Sequence, residues 1–289
     1  MNWDSVEASL HTLAHTSGGF TMAHRGVVTL PNGQSVFVKI GNDTLTKEWA
    51  HKEILVYRFL QKHAFAAIPK LLAVKSDQTA FALEPLQAGW DWSDTWTTDR
   101  LNKTLSAMDD LAVVIPEGPD RKVFEKSFIS ETADGWRPLF EHPELQQVLL
   151  TRLSAAGRQD IARDLNFELH ARRSSSFVFT RNALVHNDVR ADNCAWNEQL
   201  QAVKLIDWNW AQLGDRRIDI GSFLVHVYKT GFDITNYRDR LDAEALHWLA
   251  GFWFNAAIRP LPEGSSEQAA LRDHQLTSGI AAFDLLREL

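Results

Sequence analysis

The stretch from Leu184 to Gly221, LVHNDVRADNCAWNEQLQAVKLIDWNWAQLGDRRIDIG, constrains this chain more than any other. An apolar run, Ala183 to His186, leads into Asp188, and Asn193 follows five positions later. A second apolar run, Val203 to Ile206, leads into Asp207, nineteen positions after the first aspartate. Two strands of one hairpin would hold all three polar side chains around one point. Phosphoryl transfer needs such a set: one carboxylate beside the attacking hydroxyl to orient it and take its proton, and a second carboxylate with an amide oxygen to hold Mg²⁺ against nucleotide phosphates. Taken singly, loop Asp and Asn residues mostly turn and cap the backbone. The ordered set, bounded by apolar strands, is a joint condition that loops rarely meet by chance.

Upstream, Gly26–Leu30 and Ser35–Ile40 read as two strands about the turn Pro31-Asn32-Gly33, where glycine is free to take positive φ. From Thr46 to His63, Trp49, Ile54, Leu55, Phe59 and Leu60 recur near helical spacing and predict an amphipathic helix. Lys70–Val74 and Ala80–Leu83 read as further strands, and Glu84-Pro85-Leu86-Gln87-Ala88-Gly89 as a breaker-rich link. Helical patterns follow at Asp99–Val113, Glu144–Leu153, Asp160–Ala171, Ala243–Ala257 and Gln268–Leu286. The fold class expected is α+β, with a small β-rich lobe over residues 1–87 and a larger, mainly helical lobe over 88–289 that carries one embedded hairpin.

Charge divides at the same link. Up to Glu84 there are eight basic against seven acidic residues; beyond it there are 22 against 30, and the whole chain carries a net −7. Such a balance argues against a nucleic-acid partner, and the acidic part would concentrate a cationic small molecule. No apolar run approaches the roughly 18 residues of a spanning helix, so no membrane partner is expected. The single cysteine, Cys194, permits no intramolecular disulfide, and the opening MNWDSVEASLHTLAH has neither a basic nor an apolar leader segment. A cytoplasmic setting is expected.

With HNDVRADN, LIDWNWAQLGD and RIDIG on the page, the chain resembles the aminoglycoside phosphotransferase-like kinases, small-molecule relatives of the protein kinases. The resemblance implies a bilobal protein-kinase-like fold, with Asp188 as catalytic base and Asn193 and Asp207 as Mg²⁺ ligands. It also implies that Asp219 braces the catalytic loop. Such a kinase needs a strand lysine to hold phosphates and a helix glutamate to orient it. Lys39 closes the run VFVK, and Glu53 begins EILVYRFL. Its competitor, Glu48, lies five positions earlier, about 140° around the helix. Glu53 is preferred because a leucine follows it by seven places, as in the family's helix motif. Gly19, in Gly18-Gly19-Phe20, stands where a phosphate-covering turn is expected, and Glu84 to Leu86 resembles the hinge whose backbone meets the purine edge.

Two departures from the family pattern stand out. Arg190 lies two positions after Asp188, where the family commonly has histidine; a cation there could stabilise charge on the transferring phosphoryl group. The tract Gly89–Trp96 is rich in Trp and Asp, and it reads as a packed, capped helix start in preference to the alternative, a substrate-facing aromatic platform. The activity implied is a Mg²⁺-dependent small-molecule kinase using ATP or GTP, acting as a monomer or homodimer. Its acceptor would be a small cationic molecule such as an aminoglycoside-type antibiotic. The alternatives are a metabolite kinase for an amino alcohol or sugar derivative, and a non-catalytic nucleotide-binding scaffold.

Overall fold

Period-two alternation divides the N-terminal strands into two faces. Along β3 (Ser35–Ile40), Val36 and Val38 are buried on one side, whereas Phe37 and Lys39 point to the other. With β1 (Ala14–His15), β2 (His24–Thr29), β4 (Leu71–Val74) and β5 (Ala80–Leu83) it forms a five-stranded antiparallel sheet in the order β1-β2-β3-β5-β4. One face, including Val28, Val36, Val38 and Ala82, packs with Trp3 and Val6 of the short helix α1 (Trp3–Glu7). The β2–β3 turn contains Gly33 at φ +80°, a conformation that glycine takes without a Cβ penalty.

The structure is a computed structural model that describes residues 1–15, 23–126, 129–260 and 266–289. The chain divides into two units, one of residues 1–126 with 183–213, the other of residues 127–182 with 214–289. Among the described residues no helix is long and apolar enough to cross a membrane.

In the first unit, α2 (Thr44–Lys62) begins at a capping box in which Asp43 accepts from the amide of Thr46. Ala50, Glu53, Ile54, Tyr57 and Leu60 share its buried face at three- and four-residue spacing. Helices α3 (Thr98–Ala112) and α4 (Gly118–Glu125) follow. The tract before α3 is not a helix start: Asp91 bridges to Trp196, and the cap of α3 is Thr97.

The embedded hairpin also differs from expectation. β6 (Ala183–Val185) pairs with β9 (Gln212–Gly214), and β8 (Ala202–Leu205) pairs with β7 (Cys194–Asn197), so the two apolar runs belong to separate ribbons. The strand Cys-Ala-Trp-Asn is short, and the turn after it lacks the Asn-Gly or Asp-Gly signature of a tight hairpin.

The second unit is helical: α5 (Trp136–Glu141), α6 (Pro143–Ala155), α7 (Gln159–Asp164), α8 (Phe167–Ser175), α9 (Arg216–Lys229), α10 (Ala243–Ala257) and α11 (Ser266–Glu288). The single helix expected over 160–171 is two, because Asn166 accepts from the amide of Leu169 and starts α8 afresh. Helix α9, capped by Asp215, runs through RIDIG and escapes sequence reading because residues 218–225 are all buried, so no alternation of buried and exposed faces marks a helical period.

Candidate active site

The second face of the β-sheet is where the sequence-predicted residues converge. Lys39 on β3 is 7% exposed and Glu53 on α2 is 1% exposed. Lys39 Nζ donates to Glu53 Oε1 at 2.5 Å and to Asp207 Oδ1 at 2.7 Å. Glu53, four positions from Tyr57 on the buried face, faces the strand lysine; Glu48 lies exposed. Burial would strip the Lys39 ammonium of its proton, but the carboxylates of Asp207 and Glu53 outweigh it and hold the lysine above its ordinary range. Burial pushes Glu53 up to about 7 against the pull of Lys39.

Asp207 leaves the line of β8 in a left-handed conformation, φ 64° and ψ 62°. A non-glycine residue there costs about 1–2 kcal/mol, so local contacts must hold it. Asn209 donates Nδ2 to Asp207 Oδ1 at 2.8 Å, on the same oxygen that Lys39 uses. Oδ2 accepts no hydrogen bond from a described residue. Despite burial, Lys39 keeps the Asp207 carboxyl below the ordinary range.

Asp188 is set by its neighbours. Asn193 donates Nδ2 to the Asp188 carbonyl at 2.9 Å and to Asp188 Oδ2 at 2.8 Å. Both amide protons of Asn193 are spent on Asp188, which leaves its Oδ1 as an acceptor. Arg190 Nε reaches Asp188 Oδ1 at 3.1 Å, and its Nη1 lies 3.0 Å from Asp192 Oδ2. Burial raises the Asp188 carboxyl, and the Arg190 guanidinium opposes it.

His186 ties the two strand ends together. Its Nε2 donates to the Ile206 carbonyl at 2.9 Å while Nδ1 accepts from the Asp188 amide at 3.3 Å. Burial lowers this imidazole to about 4, so it stays neutral and keeps one donor and one acceptor. Cys194 is likewise buried, its thiol raised by burial.

A cavity of about 540 Å³ opens on this face, lined by Lys39, Glu53, Arg190, Asn193 and Asp207 among the expected residues, and by Glu84 and Leu86 of the link. Asp188 is not among the lining residues, but it is hydrogen-bonded to two that are, Arg190 and Asn193. Gly19 lies outside the described residues. Asp219 lies in the second unit, buried in the first turn of α9.

Among the lining residues that sequence reasoning missed are Arg25, Tyr57 and Trp92. Arg25 sits directly across the β2–β3 ladder from Lys39, a position the hairpin register exposes once drawn. Tyr57 lies one helical turn beyond Glu53. Trp92, from the tract read as a helix start, lines the cavity, while Trp96 is buried under the Arg100 guanidinium at 4.3 Å.

The donor set suits a hard cation. Asn193 Oδ1 and Asp207 Oδ2 are the oxygens left to serve as ligands, and among the described residues no group of three or more His, Cys, Asp or Glu could hold a metal unaided. Mg²⁺ is bound in just this manner, by one or two protein oxygens completed by phosphates and water.

Such a sheet and such a site belong to the kinase-like class of phosphotransferases that act on small molecules. A model of the Phosphotransferase enzyme family matches residues 25–252, and the chain belongs to that family. Its fold is similar to that of the choline kinase LicA from Streptococcus pneumoniae, at 12% identity and a TM-score of 0.59, covering 98% of this chain and 97% of that one. A spectinomycin phosphotransferase solved with ADP and spectinomycin is 14% identical with a TM-score of 0.59, covering 94% and 92%. An aminoglycoside phosphotransferase from Alicyclobacillus acidocaldarius is 12% identical with a TM-score of 0.57, covering 98% and 93%. No curated protein sequence matches the chain.

Proposed function

We propose that the protein moves the γ-phosphoryl group of ATP or GTP, with Mg²⁺, to a hydroxyl of a small cationic molecule of the aminoglycoside type, in the cytoplasm. The observation that carries this reading is the convergence of Lys39, Glu53 and Asp207 with the Asp188–Asn193 pair beside one cavity. Asp188 orients the acceptor hydroxyl and takes its proton, its carboxylate aimed by the two hydrogen bonds from Asn193. Lys39, kept in place by Glu53, donates to phosphate oxygens. Asn193 Oδ1 and Asp207 Oδ2 hold Mg²⁺, which when bound neutralises phosphate charge. Arg190 stands at Asp188 and supplies a cation toward the transferring group. Transfer then rests on positioning and charge, with no covalent enzyme intermediate.

Residues 1–87 contribute the strand lysine, the helix glutamate and the link, while the acceptor is drawn by the acidic remainder, with its 22 basic against 30 acidic residues beyond Glu84. Asp188→Ala is expected to lower turnover about 10²–10⁴-fold with nucleotide affinity kept, whereas Asp207→Ala loses Mg-nucleotide binding as well. Calorimetric binding of Mg-ATP and Mg-GTP, with nucleotide consumption over a panel of hydroxylated amines, checks both. Unchanged turnover in Asp188→Ala sinks the mechanism.

A further inference from the structure

The purine base is chosen at the link, and one side chain there has been left without a role. Trp92 and Leu86 both line the cavity, and the indole Nε1 of Trp92 donates to the Leu86 carbonyl at 3.4 Å. The Glu84 carbonyl and the Leu86 amide form no hydrogen bond to any described residue. Of the polar backbone groups around Glu84 and Leu86, an acceptor and a donor are therefore open, and the next acceptor along is already covered.

Adenine and guanine ask different things of such a row. Adenine offers a donor at its 6-amino group beside an acceptor at N1. Guanine offers the reverse, an acceptor at O6 beside a donor at N1–H. An open carbonyl at Glu84 followed by an open amide at Leu86 matches adenine in order. Guanine can pair O6 with the Leu86 amide only by sending its N1–H to the Leu86 carbonyl, where the Trp92 indole already takes one of the two lone pairs. A guanine N1–H must then share that oxygen with the indole, displace it, or stay unpaired, and each of these weakens or loses a hydrogen bond that adenine does not need.

We infer that Trp92 is a specificity-determining residue that selects an adenine over a guanine nucleotide by occupying the Leu86 carbonyl. The inference rests on the nucleotide site proposed above. Trp92 is anchored independently of any ligand. The tract it sits in is bridged to β7 through Asp91 and Trp196, and Arg100 donates to the carbonyls of Ser93 at 2.7 Å and Thr95 at 2.9 Å.

The test is equilibrium binding of Mg-ADP, Mg-GDP and Mg-IDP to the full chain and to Trp92→Phe, which keeps an aromatic ring and removes the donor. The wild-type chain is expected to prefer ADP over GDP by at least about 10-fold, the value of one hydrogen bond of roughly 1.4 kcal/mol. In Trp92→Phe that preference shrinks about 10-fold through tighter GDP binding, with ADP affinity kept. Inosine diphosphate retains O6 and N1–H without the 2-amino group, so it is expected to be rejected like GDP. Equal wild-type affinity for ADP and GDP overturns the inference and leaves the nucleotide site standing. So does an unchanged ratio in a Trp92→Phe chain that still binds ADP, or IDP binding as tightly as ADP. Should Trp92→Phe fail to fold, the wild-type ratios decide alone. Binding of none of the three nucleotides overturns the nucleotide site itself, and the inference with it.

Discussion

Lys39 Nζ lies 2.7 Å from Asp207 Oδ1, although 168 residues separate them in the chain. The same nitrogen holds Glu53 in a site only 1% exposed, so one cation serves two carboxylates. Removing one partner of a buried pair strands the other, at a cost of about 3–5 kcal/mol. Lys39→Met is expected to lose about that much unfolding free energy, and adding Glu53→Gln to recover part of it. Because Glu53 is already raised to about 7 by burial, it takes up a proton once the lysine is gone, so the loss grows as pH rises. Urea titrations of the single and double variants at two pH values check this; strictly additive losses would show that the pair is not coupled.

Arg100 is a buried brace. Its side chain has no exposure, and besides Ser93 and Thr95 it donates to the Cys194 carbonyl at 2.8 Å. A lysine carries the charge but not the planar fork. Arg100→Lys is expected to cost roughly 2–4 kcal/mol, with at least one carbonyl left unpaired. The midpoint of urea unfolding measures it, and a change within about 0.5 kcal/mol would mean that water replaces the fork.

Gly251 in α10 leaves room for an indole. A Cβ there would stand 2.4 Å from Cδ1 of Trp136, which is fully buried and donates Nε1 to the His247 carbonyl at 2.7 Å. The ring stacks on His170 at 4.4 Å, so it has little freedom to shift. Gly251→Ala is expected to destabilise by about 1–3 kcal/mol, and a melting curve reads this as a fall of about 2–4 °C per kcal/mol. Trp136→Phe in the same chain should relieve part of the loss.

His170 Nδ1 and His247 Nε2 lie 3.0 Å apart. Burial lowers His170 to about 4 and His247 to about 3. The unfolded chain binds protons at these histidines below about pH 6.5, whereas the folded chain does not until about 4. The unfolded state therefore gains protons first, and stability falls as pH drops from about 6.5 toward 4. Each histidine contributes a slope of up to about 1.4 kcal/mol per pH unit. His247→Phe is expected to flatten the dependence between pH 6.5 and 5 by about one proton, measured from urea midpoints. An unchanged slope would place the acid sensitivity elsewhere.

Much of this protein follows from local pattern. The β2–β3 hairpin and its Pro-Asn-Gly turn, helix α2 and helix α10 are encoded by residue periodicity, since alternation and helical spacing act between near neighbours. So is the grouping of Asp188, Asn193 and Asp207, because five and nineteen residues between short strands leave few ways to spread them. The choice of Glu53 over Glu48 rests on the leucine seven places beyond it, as in the family's helix motif; the angle between the two shows only that they face different ways.

What local pattern leaves open is who pairs with whom at a distance. The two apolar runs beside Asp188 and Asp207 read as partners, yet each found another strand, because a short strand's hydrogen bonds are satisfied equally well by any edge that tertiary packing brings near. Trp92 illustrates the same limit: as letters, Gly-Trp-Asp-Trp reads as part of a packed, capped helix start, and only the tertiary structure brings its indole to the Leu86 carbonyl and the cavity. The sequence by itself determined which chemical groups are present, and the local turns and helices that carry them. Only the tertiary structure decided which backbone groups stay open and which buried charges share a partner, because hydrogen bonding and desolvation are settled by contacts between residues far apart in the chain.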